Sequence, residues 1–185
     1  MSQSSNIFID EVLLNLWAIP VLNGCFLRID TEPDKQEKYS PGEIDHQGHM
    51  YGVASLPNGK RSCCGSYWAD FENNGCWLSL YIPIGSLASA YDMGAYPFQA
   101  NEPGTSNWIV EINNWFVNIA KKIHPIAKFE IGIIGFEVDF FDVEKILATG
   151  IPSERWVGFL VVKNNQLEWF PPTRYDAPYS ISKPS

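Results

Sequence analysis

The chain has 185 residues, 45% of them hydrophobic and 18% charged, with 7 Trp, 8 Tyr and 11 Phe. That length and apolar content suffice for one folded domain with a sizeable core, and they exclude a chain disordered by composition. The formal charge of -8, from 13 basic and 21 acidic residues, excludes the phosphate-neutralising surface of a nucleic-acid binder, because the only adjacent basic pairs are Lys60-Arg61 and Lys121-Lys122.

The first basic residue is Arg28, and the apolar stretch near the start contains Asp10 and Glu11, so a secretory signal is not expected. The most apolar later run, Ile131 to Phe136, falls far short of the ~20 residues that cross a bilayer. A soluble cytoplasmic protein with no membrane partner and no cofactor is the expectation. Cys25, Cys63, Cys64 and Cys76 are expected to be reduced thiols, since a chain of this size needs no staples.

Ile9, Val12, Leu13, Leu16 and Trp17 mark the buried stripe of an N-terminal helix over about 6–18, capped by Ser5 or Asn6 and stopped by Pro20. A short strand, Cys25 to Asp30, follows the Asn23-Gly24 turn. Residues 30–45 form an acidic loop, with Asp30, Glu32, Asp34, Glu37, Glu43 and Asp45 against Lys35 and Lys38.

From His49 to Pro83 the pattern predicts a β-meander with turns at Leu56-Pro-Asn-Gly-Lys60 and Glu72-Asn-Asn-Gly-Cys76. A two-residue Asn74-Gly75 loop would set Phe71 opposite Leu78, Ala69 opposite Leu80 and Tyr67 opposite Ile82. That register makes one face apolar and leaves Trp68, Asp70, Trp77, Ser79 and Tyr81 on the other. It also puts Cys63 and Cys76 on the core face and Cys64 on the aromatic one.

A short helix is expected over Ile84 to Ala90, then a loop over Asp92 to Gly104. Next comes the strongest element, a long amphipathic helix over about 106–123. Its buried stripe is Trp108, Ile109, Ile112, Trp115, Phe116, Ile119, Ala120 and Ile123, and Asn113, Asn114, Asn118, Lys121 and Lys122 are its wet face. Residues 128–138 are apolar on both parities in the middle, as for a central strand. Asp142 caps a helix through Ala148 that Gly150 terminates, and a hairpin turns at Asn164-Asn165. Residues 171–185 read as an irregular C-terminal tail. The chain is thus expected to be one α+β domain over 1–185, with a mostly antiparallel twisted sheet of about six strands packed against the long helix and the N-terminal helix.

Cys64-Gly65-Ser66-Tyr67-Trp68 superficially resembles the Cys-Gly-Ser-Cys-Trp segment of papain-like proteases. The context departs from that family: Asn58 stands where the family has Gln, and His124 is too close to Cys64 to be its base. The segment also reads as strand, whereas the family's Cys opens a helix. His46-x-x-His49 with Cys63 and Cys64 are weak candidate zinc ligands, but no C-x2-C pair accompanies them. Glu137 and Asp139 share a strand parity and could divide acid and base roles, although a strand reaching solvent becomes polar for that reason alone. Phosphate loops, a nucleophile elbow and H-E-x-x-H are absent from the sequence.

With no coherent catalytic set, the expected function is a non-catalytic protein-binding module taking a basic partner. Trp68, Trp77, Tyr81, Tyr96 and Phe98 are the expected aromatic contacts, and Glu32, Asp34, Glu37, Glu43 and Asp45 the acidic ones. These traits are similar, at the level of analogy, to those of bacterial immunity proteins that neutralise basic toxins. A small hydrolase using His and carboxylate or zinc-assisted chemistry is the alternative, and homo-oligomerisation is compatible with either.

Overall fold

The computed structural model of the protein describes residues 11–22, 50–71, 75–93, 107–136, 138 and 143–174. These fall into two compact units, one built from the chain up to Tyr91 with Lys122–Ala127, the other from Asp92–Lys121 and Lys128 onward. The class is α+β, with four α-helices and two antiparallel three-stranded sheets among the described residues.

In the first unit, residues 11–17 form helix α1, followed by a 3-10 turn at Pro20–Leu22. Val12, Leu13, Leu16 and Trp17 are buried at the i, i+1, i+4, i+5 positions of its core stripe, while Glu11 and Leu14 face out. The predicted meander is present as β1 (Met50–Ser55), β2 (Arg61–Phe71) and β3 (Gly75–Tyr81). Its first turn closes through the Leu56 N–H donating to the Lys60 carbonyl at 2.9 Å. Helix α2, Ile84–Ala88, then lies beside the start of β2, where the Ser86 hydroxyl accepts the Cys63 N–H at 3.0 Å.

The second hairpin departs from the expected register. Phe71 pairs with Gly75 and Trp68 with Leu78, three positions away from the pairing that a two-residue Asn74-Gly75 loop would impose. Because side chains alternate with period two, an odd shift exchanges the faces of one strand relative to the other. The inner face therefore carries Ser62, Cys64, Ser66 and Trp68 of β2, Met50, Gly52 and Ala54 of β1, and Leu78 and Leu80 of β3. Met50, Ala54, Ser62, Cys64 and Ser66 are all buried there. The small β2 residues make this face flat enough for α1 to approach, and the Trp17 indole N–H donates to the Ser66 hydroxyl at 3.0 Å in the interior.

Helix α3 (Asn107–Ile123), whose residues up to Lys121 belong to the second unit, matches its predicted span within one residue. Trp108, Ile112, Trp115, Ile119 and Ile123 form one buried stripe. A second stripe, containing Phe116, Val117 and Ala120, packs against Ile134, Leu160, Leu167 and Trp169 of the second sheet. Asn113, expected on the wet face, is buried because it lies one turn before Val117 on that second stripe.

The second sheet is ordered β4-β5-β6, from Ile131–Ile134, Gly158–Lys163 and Gln166–Phe170. This corrects two expectations. The strands do not form one six-stranded sheet, and Ile131–Ile134 is an edge strand, with β5 in the centre. Strand alternation reports which residues can be buried, not which strand lies alongside, and each sheet here is assembled from its own nearest antiparallel partners. β5 is buried on both parities through Phe159, Leu160 and Val161.

The β5–β6 turn is the predicted two-residue hairpin, with Asn164 at φ 50° and Asn165 at φ 62°, the left-handed pair that a type I′ turn requires. Helix α4 (Val143–Thr149) precedes β5 and ends at Gly150, whose N–H donates to the Ile146 carbonyl at 2.8 Å. Gly158 is glycine for a steric reason: a Cβ there would stand 2.5 Å from Cζ3 of the Trp169 indole that lies across it. No helix among the described residues is long and apolar enough to cross a membrane.

Candidate functional site

The outer face of the first sheet, opposite the one that receives Trp17, is rich in aromatic residues. Pairing sets Tyr51, Gly65 and Tyr81 side by side across β1, β2 and β3, so all three project to this face. Tyr67 follows two residues along β2, and Trp77 and Ser79 two and one alternations back along β3. Tyr51, Tyr67, Trp77, Ser79 and Tyr81 are each half-buried.

Gly65 is the key to the arrangement. With no side chain in the middle of the row, the Tyr81 ring lies over the β2 backbone, and a Cβ at Gly65 would stand 2.5 Å from its hydroxyl and 2.6 Å from Cζ. There the Tyr81 and Tyr51 hydroxyls are hydrogen-bonded. The Tyr67 and Tyr81 rings meet with centroids 6.1 Å apart and planes inclined by 54°. The result is a three-tyrosine corner with a glycine floor.

Burial is the main cause that pushes the Tyr81 phenol well above its ordinary value, reinforced by the Tyr51 hydrogen bond and by the neighbouring Tyr51, Tyr67 and Cys64. Burial likewise pushes the Cys64 thiol up to about 12, with adjacent Cys63 adding to it. Both groups are therefore neutral at physiological pH. A nucleophilic cysteine needs a stabilised thiolate, and the environment of Cys64 does the opposite. The corner presents π-faces and hydroxyl oxygens and no activated nucleophile.

Of the expected contact residues, Trp77 and Tyr81 lie together on this outer face. Trp68 does not: the shifted register turns it to the inner face with Leu78 and Leu80. Its indole N–H is buried with no hydrogen-bond partner among the described residues. The expected cysteine placement is reversed at the adjacent pair, with Cys64 buried and Cys63 exposed, and Cys76 is exposed near the hairpin end. These three cysteines form no disulfide. Tyr96, Phe98, Glu32, Asp34, Glu37, Glu43 and Asp45 lie outside the described residues, as do His46, His49, Glu137 and Asp139.

Cys63 and Cys64, the remaining candidate ligands, point to opposite sides of β2 and so cannot close on one ion without a bulge. Among the described residues no three His, Cys, Asp or Glu side chains come together as a metal site. Tyr51 and Tyr67 were missed as site residues because the expected register sent Tyr67 to the core. The available signal was the Ser62, Cys64, Ser66 alternation of small side chains, which marks the β2 face that a helix can approach.

A second polar cluster lies in the second unit, where the chain leaves β6. Arg155 donates from Nε to the Pro171 carbonyl at 2.7 Å and from Nη1 to the Pro152 carbonyl at 2.8 Å. Its backbone N–H donates to the Thr173 hydroxyl at 2.9 Å, and its carbonyl accepts from the Thr173 N–H at 2.9 Å. Arg174 pairs with Glu154 and lies 5.0 Å from the centroid of the Trp156 ring. Among the described residues the Arg155 guanidinium donates to two main-chain carbonyls, so the cluster is a clasp on residues 171–174.

No family model, no curated protein and no solved structure matches the chain.

Proposed function

We propose that the protein is a non-catalytic binding module for a basic protein partner, with the outer face of the first sheet as its aromatic anchor. The observation that carries the reading is the grouping of Tyr51, Tyr67, Trp77 and Tyr81, half-buried, on the face of the sheet opposite the one that receives Trp17 of α1. Tyr and Trp are the residues that supply binding energy at interfaces, because they present large rigid surfaces with a polar handle. The neutral state of Cys64 and Tyr81 supports recognition over nucleophilic chemistry. The excess of 21 acidic over 13 basic residues supports a basic partner, whose approach it would accelerate.

The test is affinity capture from lysate of the native source with immobilised wild-type protein and with the Trp77→Ser variant. A stoichiometric partner of high isoelectric point, released by raised salt and lost from Trp77→Ser, is the expected result. Recovery of no stoichiometric partner, or of one that Trp77→Ser retains in full, refutes the reading.

A further inference from the structure

The turn between β1 and β2 carries a chemical liability that its own geometry creates. Leu56-Pro57-Asn58-Gly59 closes with the Gly59 N–H donating to the Leu56 carbonyl at 3.0 Å, so Pro57 and Asn58 are the central residues. The chain must then turn left-handed to enter β2, and Gly59 does so at φ 79°. A Cβ there would meet nothing within 4 Å, so glycine is present for its backbone freedom and not for space. The outcome is an Asn-Gly pair at the surface. With no side chain on the following residue, the Gly59 nitrogen has an open approach to the Asn58 side-chain carbonyl carbon, the context in which asparagine is most labile.

The same turn ties both reacting groups down. Asn58 Nδ2 donates to the Ala90 carbonyl at 2.9 Å, just beyond α2, and Asn58 Oδ1 accepts the Lys60 N–H at 3.0 Å. Attack requires the Gly59 nitrogen to give up its proton and Asn58 Cγ to swing toward it. The bonds to Leu56, Ala90 and Lys60 all oppose that movement. Asn58 is itself exposed, so its protection comes from these bonds and not from burial.

We propose that Asn58 is a latent self-modification site, kept intact by its latch onto Ala90, and that its conversion to aspartate frees the end of α2 from the turn. In the step, the Gly59 nitrogen loses its proton to solvent and bonds to Asn58 Cγ, the Cγ–Nδ2 bond breaks, and ammonia leaves. Water then opens the succinimide to aspartate or isoaspartate. Either product is a carboxylate with no proton to donate, so the bond to the Ala90 carbonyl is lost, and Ala90 is a buried residue. Isoaspartate also lengthens the main chain by one carbon in a turn whose hydrogen bonds fix its length.

The experiment incubates the full chain at mildly alkaline pH, folded and in unfolding urea. The tryptic peptide 39–60, which holds no other asparagine, is followed by mass and by isoaspartate content. Conversion is expected to run at least about tenfold slower in the folded chain. Hydrogen exchange of the fresh Asn58→Asp variant reads the latch separately. The Ala90 and Tyr91 amides, which donate to the Leu87 carbonyl at the end of α2, should exchange about threefold or more faster than in wild type. Equal conversion of folded and unfolded chain overturns the protection, and unchanged exchange at both amides in Asn58→Asp overturns the latch.

Discussion

Gly65→Ala is the sharpest perturbation of the tyrosine corner. The added methyl would start 2.5 Å from the Tyr81 hydroxyl, 2.6 Å from Cζ and 3.0 Å from Cε1. Carbon contacts settle at about 3.5–4.0 Å, so the ring must retreat by about 1 Å. Retreat strains or breaks the hydrogen bond with Tyr51, a loss of about 0.5–1.5 kcal/mol, and forfeits part of the ring's packing, about 1 kcal/mol more. Replacing glycine also removes freedom from the unfolded chain, which offsets about 0.4–1 kcal/mol. The net expectation is a destabilisation of about 0.5–2 kcal/mol, a fall in Tm of about 1–8 °C for a chain of this size. Chemical denaturation gives the first number, and a near-ultraviolet phenolate titration gives a second, independent one. Once displaced, one tyrosine should titrate closer to its ordinary value. The double variant Gly65→Ala/Tyr81→Ala should show no further cost from the alanine at 65, because its clash partner has gone. Stability within about 0.5 kcal/mol of wild type in the single variant, with an unchanged phenolate titration, would refute the placement of the ring over Gly65.

Three other outcomes follow from the same packing. Trp17→Phe should lose about 1–3 kcal/mol, since it removes the indole donor to a fully buried Ser66 hydroxyl, and Ser66→Ala should cost a similar amount. The double variant should cost less than their sum, and strict additivity in denaturant melts would argue against the bond. Cys64 has a folded-state value raised from 9.0 to about 12. Its contribution is therefore complete below pH ~9 and declines as pH rises through that window, by at most about 4 kcal/mol. Cys64→Ala should flatten the alkaline slope of stability, and an identical slope in the variant would contradict the burial. In the second unit, Arg155→Lys cannot reach both the Pro152 and Pro171 carbonyls, because an ammonium lacks the guanidinium fork. Hydrogen exchange at the Thr173 and Arg174 amides should quicken by about tenfold or more, and unchanged protection would show that the clasp does not depend on the fork.

Helix α3 was legible in the chain before any packing was known. Its apolar residues recur with the period of one helix, and Pro125 follows its last turn. The Asn164-Asn165 hairpin was equally legible, because two consecutive left-handed residues between short strands select one turn type. The β1-β2-β3 meander was readable as three strands. These are properties of the backbone and its immediate neighbours, and they survive any change of tertiary context that leaves the local pattern intact.

The pairing of β2 with β3 was not of that kind. A turn read as two residues, where Phe71 in fact pairs with Gly75, moves every facing pair by three positions. That shift exchanged Trp68 for Tyr67 on the outer face and brought Tyr67 and Tyr81 together. Likewise, strand periodicity was silent on whether Ile131–Ile134 would join the meander or lie beside β5. The aromatic abundance visible at the outset was a matter of sequence alone, but its division between the inner face, with Trp68, and a tyrosine corner was decided by register. Register depends on which burial is best satisfied across strands, here the small-residue face of β2 beneath Trp17, and that comparison exists only once the sheet and helix are assembled.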